Sequence, residues 1–453
     1  MGNIDKARRE ANQKVGIRRS SMLARLLPPR VIKKWAKKAK MIYRGGLYAP
    51  HLTLYECIGK QRTGRSARAL EANLAVDLGV EATKNGAVRP ETSHDGKDFC
   101  TARLRLALDV FRKALSYLCQ QHRPSPDDQY QGLTLATLDG TTAPVPRTDE
   151  NRDHFKTSSN QHGASRFPVV RVTLMLCAGL IYGVGIDPYH TSELTQALRL
   201  LLNVPENYLV LADALYGSFV NLALLTQHHS HLICPRHVNR NGAVIKCLGP
   251  NEWLERFYKS RSEHCQCPVP REDLPDHLDV RVIRAVVHRN GYRDFTLVLY
   301  TTLLDPQRYP AEDIVRLYLR RWTVETDIRT LKLSHGLSDL RCKTPAGIER
   351  EIYSACLAFN SVRVPMAHTG HAVHALSHAT TLEILVAADS KMTFASPAHR
   401  AALIAETLRQ IGGAVLPKQI RPPQPRAIVR NKRRYPYLKC TRKQWSAWHH
   451  AAA

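Results

Sequence analysis

The chain is predicted to be an α/β protein: a basic α-helical segment, then a mixed sheet with a β-rich insertion, then a basic tail. Three observations carry that prediction. Apolar periodicity is helical up to about residue 121 and strand-like from about 133. The strand-like part reads strand, strand, strand, helix, strand, helix, strand, that is, two antiparallel connections followed by crossovers. The basic residues are dense in 1–50 and return after Gly412.

The 453 residues allow two to four structural units, and the 43% hydrophobic content is that of an ordinary globular protein. A formal net charge of +27 and a pI near 9.9 disfavour compaction by self-repulsion, so a polyanionic partner is expected. Nucleic acid comes first and an anionic membrane surface second. No apolar run approaches the ~20 residues that span a bilayer. The N-terminus lacks a signal-peptide core, and Asp5 and Glu10 argue against a transit peptide, so an intracellular protein is expected. Eleven scattered cysteines, an odd number, fit reduced thiols.

In chain order, Val31, Ile32, Trp35, Ala39 and Ile42 have near-helical spacing, with Lys33, Lys34, Lys37, Lys38 and Lys40 around them. This basic amphipathic helix suits DNA phosphates or anionic lipid; with no other membrane signal, DNA is preferred. Gly45-Gly46 and Pro50 end it. Helices are predicted over 64–83 and 99–121, completing a helical basic unit over 1–125, and His122–Gln131 reads as a linker.

Leu133–Leu138 is a predicted strand ending at Asp139-Gly140, with a polar loop after it to Ser165. Val169–Cys177 and Leu180–Ile186 form a predicted hairpin across Ala178-Gly179. Thr191-Ser192-Glu193 caps a helix to about Asn203. Tyr208–Ala212 is a strand ending in Asp213; a helix over Ser218–His228 and a strand over His231–Pro235 follow. Residues 236–305 read as the β-rich insertion, with strands Asp279–His288 and Phe295–Thr302 joined across Asn290-Gly291.

The stretch Tyr318–Lys332 then reads as one unbroken helix starting near Pro310. At about 100° per residue, Tyr318, Arg321, Glu325 and Lys332 share one face. Taken alone this is equally a solvated ion-pair face, Arg321 to Glu325 being an i,i+4 pair. Helical pieces run to about 411, and a unit over 130–385 is followed by a C-terminal helix and basic tail over 386–453 with Trp445 and Trp448.

Two strands thus end in Asp, and a later helix carries Glu beside Arg, Lys and Tyr. Ligands bind at strand carboxyl ends in open α/β sheets. Three converging carboxylates repel, and a divalent cation removes that conflict; oxygen-only ligands favour Mg²⁺ or Mn²⁺. Two such ions would clamp a phosphodiester for in-line attack, with Arg321 and Lys332 holding neighbouring phosphates. Asp187 also follows an apolar run, so position alone does not choose the ligands, and an Asp after a strand is commonly just a turn residue.

The spacing Tyr318-x2-Arg321-x3-Glu325-x6-Lys332 matches the signature of a large family of bacterial insertion-sequence transposases of the DDE class. Leu138-Asp139-Gly140-Thr141-Thr142 and Leu211-Ala212-Asp213 resemble its two Asp motifs, and Arg321-Trp322 and Leu340–Ile352 are similar as well. Asp213-Ala-Leu-Tyr departs from it, since many members carry a basic or glycine residue after that Asp. The resemblance covers roughly 130–365. It implies an RNase H-like catalytic domain, a metal-binding catalytic triad of Asp139, Asp213 and Glu325 with two Mg²⁺ or Mn²⁺ ions, and phosphate contacts from Tyr318, Arg321 and Lys332. It also implies double-stranded DNA partners, namely transposon ends and target, a homodimeric synaptic complex, no membrane, and a cytoplasmic, nucleoid-associated location. Some members stack a flipped base on insertion aromatics, for which Trp253, Phe257 and Tyr258 are candidates, although a core or surface role is commoner for such residues.

Glu263-His264-Cys265-Gln266-Cys267 lacks a second Cys/His pair at zinc spacing, and His368, His371, His374 and His378, at helical spacing, read as neutral exposed histidines rather than ligands. No phosphate-binding Gly loop is present, so nucleotide hydrolysis is not expected. The rivals to a transposase are a domesticated nuclease on the same scaffold and a decayed, purely DNA-binding protein.

Overall fold

The computed structural model describes residues 21–42, 48–72, 95–122, 124–160, 163–237, 239–259, 269–288, 294–417, 444 and 447. The Cys265–Cys267 motif, the Asn290-Gly291 turn, the Pro- and Arg-rich tail, Trp445 and Trp448 lie outside them. One compact unit comprises the described residues up to Ala285 with Val298–Leu416; a second comprises Val286–Leu297 with the described residues from Pro417 on, and contains an ion pair of His288 with Asp294 at 2.8 Å.

Before the sheet come α1 (Met22–Leu26), α2 (Pro29–Lys38), α3 (Pro50–Thr63), α4 (Lys97–Arg105) and α5 (Leu108–Gln120). The Ser21 side chain caps α1, Pro29 opens α2, and Gly64, at φ 66°, ends α3 in the left-handed conformation that a glycine adopts without strain. On α2, Ile32 and Ala36 are buried while Lys33, Lys34, Lys37 and Lys38 are exposed, as its amphipathic pattern requires. The helix expected over 64–83 is seen only at 67–72, the last described part of it. The helix expected over 99–121 is two. Leu106 is extended (ψ 119°), and its carbonyl accepts from the Arg350 guanidinium instead of continuing the ladder.

The sheet contains β1 (Gln129–Tyr130), β2 (Leu133–Pro144), β3 (Thr157–Asn160), β4 (Gly163–Cys177), β5 (Leu180–Pro188), β6 (Tyr208–Ala212), β7 (His231–Pro235), β8 (Ala243–Gly249), β9 (Glu252–Tyr258), β10 (His277–Val287) and β11 (Phe295–Thr301). Its order is β3-β4-β2-β6-β7-β11-β10-β9-β8, with β1 on β2 and β5 on β4. The β2–β6 and β6–β7 pairs are parallel; β2–β4, β4–β5 and β7–β11 are antiparallel. The insertion therefore extends the main sheet through β11 rather than forming a sheet of its own.

Two segments differ from expectation. β2 does not stop at Asp139-Gly140 but stays paired with β4 as far as Pro144↔Val169. The polar stretch after it holds α6 (Asp149–Phe155) and β3, because Thr148 caps a first turn rich in acids and Phe155 is buried.

Helices cover both faces. α7 (Glu193–Leu201) and α8 (Phe219–Gln227) pack on one, where Ala136, Leu138, Met175, Val210 and Ala212 share a core with Ala197 and Leu222. On the other, Leu174 and Leu176 join a core with Phe111 and Leu115 of α5, Val324 and Leu331 of α10 (Trp322–Ser334) and the central α11 (Pro345–Ala367). Alternate residues of β4 thus serve opposite faces, as the two-residue period of a strand demands. α9 (Ala311–Leu319) precedes α10, and α12 (His378–Phe394) and α13 (Pro397–Gly413) close the described chain apart from its last few residues. This mixed α/β architecture agrees with an RNase H-like domain. Among the described residues no helix is long and apolar enough to cross a membrane.

The stretch read as one helix, Tyr318–Lys332, is α9 and α10 with a turn at Arg320-Arg321. The amide hydrogen bonds there are i→i−3: Arg320 to Leu317, Arg321 to Tyr318, Thr323 to Arg320 and Val324 to Arg321. The two arginines take different partners, Arg320 the Asp127 carbonyl at 2.6 Å and Arg321 the Asp139 carboxylate at the end of the β2–β6 pairing. Tyr318 is buried and Arg321, against its ring, is largely buried, so of the four residues read as one face Glu325 is the exposed one and Lys332 is half-buried.

Candidate active site at the β2 and β6 strand ends

The parallel register of β2 and β6 ends at Leu138↔Ala212. Asp139 and Asp213 are the next residues on the two strands, so the pairing itself brings them side by side. Asp139 is half-buried and its Oδ1 accepts the Gly140 N–H at 2.8 Å. Asp213 is exposed; its Oδ1 accepts the Ala214 N–H at 2.6 Å, opening the 3₁₀ turn Ala214–Tyr216. Asp187 is accounted for otherwise, by an ion pair with Arg199 at 2.8 Å.

α10 lies on the Asp139 face and contributes Glu325, an exposed carboxylate one turn from the helix start. Arg321 bridges the two: Nη2 is 2.8 Å from Glu325 Oε1 and Nη1 is 3.5 Å from Asp139 Oδ2. Its side chain is only 12% exposed and stands 5.9 Å from the centroid of the Tyr318 ring. Burial pushes the Tyr318 hydroxyl up to about 12, with Arg321 pulling against it. Burial also raises the Asp139 carboxyl above its ordinary range; the Gly140 N–H and Arg321 oppose this, while the charges of Asp213 and Glu325 add to it. The three carboxylates therefore share one local field.

The donors present are all carboxylate oxygens, which suit a hard divalent cation such as Mg²⁺ or Mn²⁺. Their spacing does not close around an ion: among the described residues no three Asp, Glu, His or Cys side chains form a metal-holding group. Instead the Arg321 guanidinium supplies the local positive charge. Lys332, two turns beyond Glu325, is half-buried.

The other candidates lie elsewhere. Lys33, Lys34, Lys37 and Lys38 stand on the exposed face of α2. On β9, Trp253 donates to Glu255 at 2.8 Å, Phe257 packs edge-on to Tyr300 at 5.3 Å, and Tyr258 is 65% exposed. The histidines are neither one helix face nor all exposed. His368 caps α11, His371 and His374 lie in the loop after it, and His374 pairs with Asp327 at 2.9 Å. His378 is buried, its Nε2 2.8 Å from Nε2 of His335, because it opens α12 against the end of α10.

Sequence reasoning missed two groups around the site. Asp327, two residues past Glu325, is buried against Arg363 at 2.5 Å and His374. Glu193 takes an Arg171 ion pair at 2.7 Å and the Tyr216 hydroxyl at 2.5 Å. Its place at the start of a helix gave no signal of those partners, which come from β4 and from the 3₁₀ turn after β6.

A mixed sheet with aspartates at the ends of adjacent parallel strands, faced by a helix-borne glutamate, defines an α/β protein with an acidic strand-end site. Residues 131–361, half of the chain, match the transposase DDE domain family, and the chain belongs to that family. It is similar, at 27% identity over 272 residues, to the transposase InsG for insertion sequence element IS4 of Escherichia coli (strain K12). It is also similar, at 30% identity over 126 residues, to InsZ of the same organism, whose name places it provisionally among transposases. The matches cover 58% and 26% of this chain, and 60% and 42% of the respective relatives.

Proposed function

We propose that the protein is a DNA transposase that binds the terminal inverted repeats of its own insertion sequence, cuts at both ends and joins the 3′-hydroxyls to target DNA. The observation that carries this reading is the register stop at Leu138↔Ala212, which sets Asp139 beside Asp213 with Glu325 facing Asp139 across one guanidinium. Asp139, Asp213 and Glu325 would hold two Mg²⁺ or Mn²⁺ ions. Such ions polarise the scissile phosphate and activate a water or 3′-hydroxyl for in-line displacement. Arg321 and Lys332 contact end phosphates, and Tyr318, expected to contact them as well, is buried and backs the Arg321 guanidinium instead. Lys33, Lys34, Lys37 and Lys38, within a DNA-binding segment over 1–125, hold the flanking duplex. Two copies pair the ends in the synaptic complex, at the nucleoid of a bacterial cytoplasm.

Arg321 has a part on each side of the reaction. Without DNA it neutralises Asp139 and Glu325. An end phosphate competes for the same guanidinium through a bidentate contact, releasing both carboxylates to their cations. DNA engagement would thereby precede binding of the cations by Asp139 and Glu325.

The test uses DNA carrying the inverted repeats that flank the gene. Glu325→Gln is expected to lower Mg²⁺-dependent strand cleavage by roughly 10³-fold or more, as removal of a member of a catalytic unit does, while gel-shift binding of the end persists. Unaltered cleavage by this variant would overturn the assignment, and end binding without any cleavage by the wild type would point to a purely DNA-binding protein.

A further inference from the structure

We infer that Glu193 and Tyr216 are positioning residues that set the separation of Asp139 and Asp213. The Glu193 carboxylate, held beside Gly140 by Arg171 of β4, receives the Tyr216 hydroxyl and so ties the turn after Asp213 to β4, the strand paired with the one that carries Asp139. The inference rests on the reading of those aspartates as metal ligands.

Past Leu138↔Ala212 the β2–β6 ladder contributes no further register, so the ladder alone does not hold the two carboxylates at a fixed distance. Tyr216 is tied to Asp213 directly: its N–H donates to the Asp213 carbonyl at 3.0 Å. Its hydroxyl, on a side chain that is essentially fully buried, donates to Glu193 Oε1 at 2.5 Å. The other Glu193 oxygen takes Arg171 Nη1 at 2.7 Å, and Arg171 Nη2 donates to the Tyr189 carbonyl. Burial and the Glu193 charge raise the Tyr216 hydroxyl far above its ordinary range, so it remains a donor.

The other end of the tie rests on Gly140, the residue after Asp139. A Cβ there would overlap the Glu193 carboxylate and stand 3.0 Å from the Tyr216 hydroxyl. The absence of a side chain at 140 is therefore what admits the clamp. Thr173, the β4 partner of Gly140, donates to Gln196 Oε1 at 2.6 Å, and Gln196 Nε2 donates to the Arg171 carbonyl. The first turn of α7 is thus bolted to β4, the partner of β2, and packs over Gly140 on the face of β2 opposite Asp139. It supports the carboxylate from behind without touching it.

The experiment compares the full chain with its Tyr216→Phe and Glu193→Gln variants. Mn²⁺ half-saturation is measured by paramagnetic resonance in the presence of end DNA, with thermal unfolding and end binding measured in parallel. Tyr216→Phe is expected to keep both the unfolding midpoint and end binding while raising the Mn²⁺ half-saturation concentration roughly 10–100-fold, the range for loss of a group that orients metal ligands. Glu193→Gln, nearly isosteric, is expected to raise it in the same range and carries the test if Tyr216→Phe loses the fold. A folded variant with wild-type Mn²⁺ affinity overturns the inference. Asp213→Asn serves as control. If it too binds Mn²⁺ as the wild type does, the assignment of the aspartates is what fails; if it loses Mn²⁺ and the clamp variants do not, only the clamp fails.

Discussion

Arg321 shows how much of a single residue's role depends on a partner distant in sequence. Its i,i+4 pairing with Glu325 is legible from spacing alone. Its approach to Asp139, 3.5 Å away in space, is not. A guanidinium shared between two carboxylates satisfies both at a short range and in partial burial, where charges count for more than at an open surface. Arg321→Gln is expected to tighten Mn²⁺ binding to the DNA-free protein about tenfold, equal to ~1.4 kcal/mol, and to weaken end binding. The first effect is read by paramagnetic resonance without DNA and the second by anisotropy. Unchanged Mn²⁺ affinity would show that Arg321 does not compete with cations for this site.

Among the elements, α10 is the one that carries most of the site and is anchored least by its own sequence pattern. Its start is a pair of 3₁₀-type turns, its middle is tied to α11 through Asp327 and Arg363, and its end meets α12 through His335 and His378. Burial lowers the pKa of His335 from 6.5 to about 3 and that of His378 well below its ordinary value, with Arg363 adding to both. Both imidazoles are thus neutral in the fold and titrate near 6.5 once unfolded. Below that pH the unfolded chain binds protons that the folded chain refuses, so the stability present above 6.5 is lost progressively toward pH 3. The loss is expected to reach ~1.4 kcal/mol per pH unit for each histidine. Urea midpoints at pH 7 and pH 5 would measure it, and the double variant His335→Gln, His378→Gln should show a shallower fall. An equal fall in both proteins would place the acid lability elsewhere.

At the scale of the whole molecule, the charge of +27 is a statement about association rather than fold. Each phosphate neutralised contributes about −0.9 to the slope of log affinity against log salt, so end binding is expected to drop steeply between 50 and 200 mM salt, by roughly 10³–10⁵ for six to ten contacts. Replacing Lys33, Lys34, Lys37 and Lys38 by Glu should reduce the magnitude of that slope by about 3 to 4 if all four meet phosphate. These side chains are exposed, so the fold should survive the change. An unaltered slope would move the DNA-binding face away from α2. The large apolar core does not follow the helical and sheet segments as separate units. Phe111, Leu115, Leu174, Val324 and Leu331 belong to one cluster, so α5 of the described N-terminal part packs on the sheet itself, and the basic α2 packs on α5.

By itself the sequence determined most element types from Leu133 to Pro235, but not α6 and β3 in the stretch read as a loop, and it determined the β-rich texture of the insertion and the choice of candidate residues. Each of these is a property of local periodicity, turn chemistry or motif spacing. Only the tertiary structure decided that β2 continues past Asp139, because β4 supplies hydrogen bonds after β6 has stopped. It also decided that Tyr318–Lys332 breaks at Arg320-Arg321, where the amide hydrogen bonds are i→i−3 and the two guanidinium groups have different partners, the Asp127 carbonyl and Asp139. The insertion became part of the main sheet because β7 offered a free edge to β11. The Glu193–Tyr216 tie was invisible for the same reason: its meaning lies in an empty space above Gly140 that no single-strand pattern records.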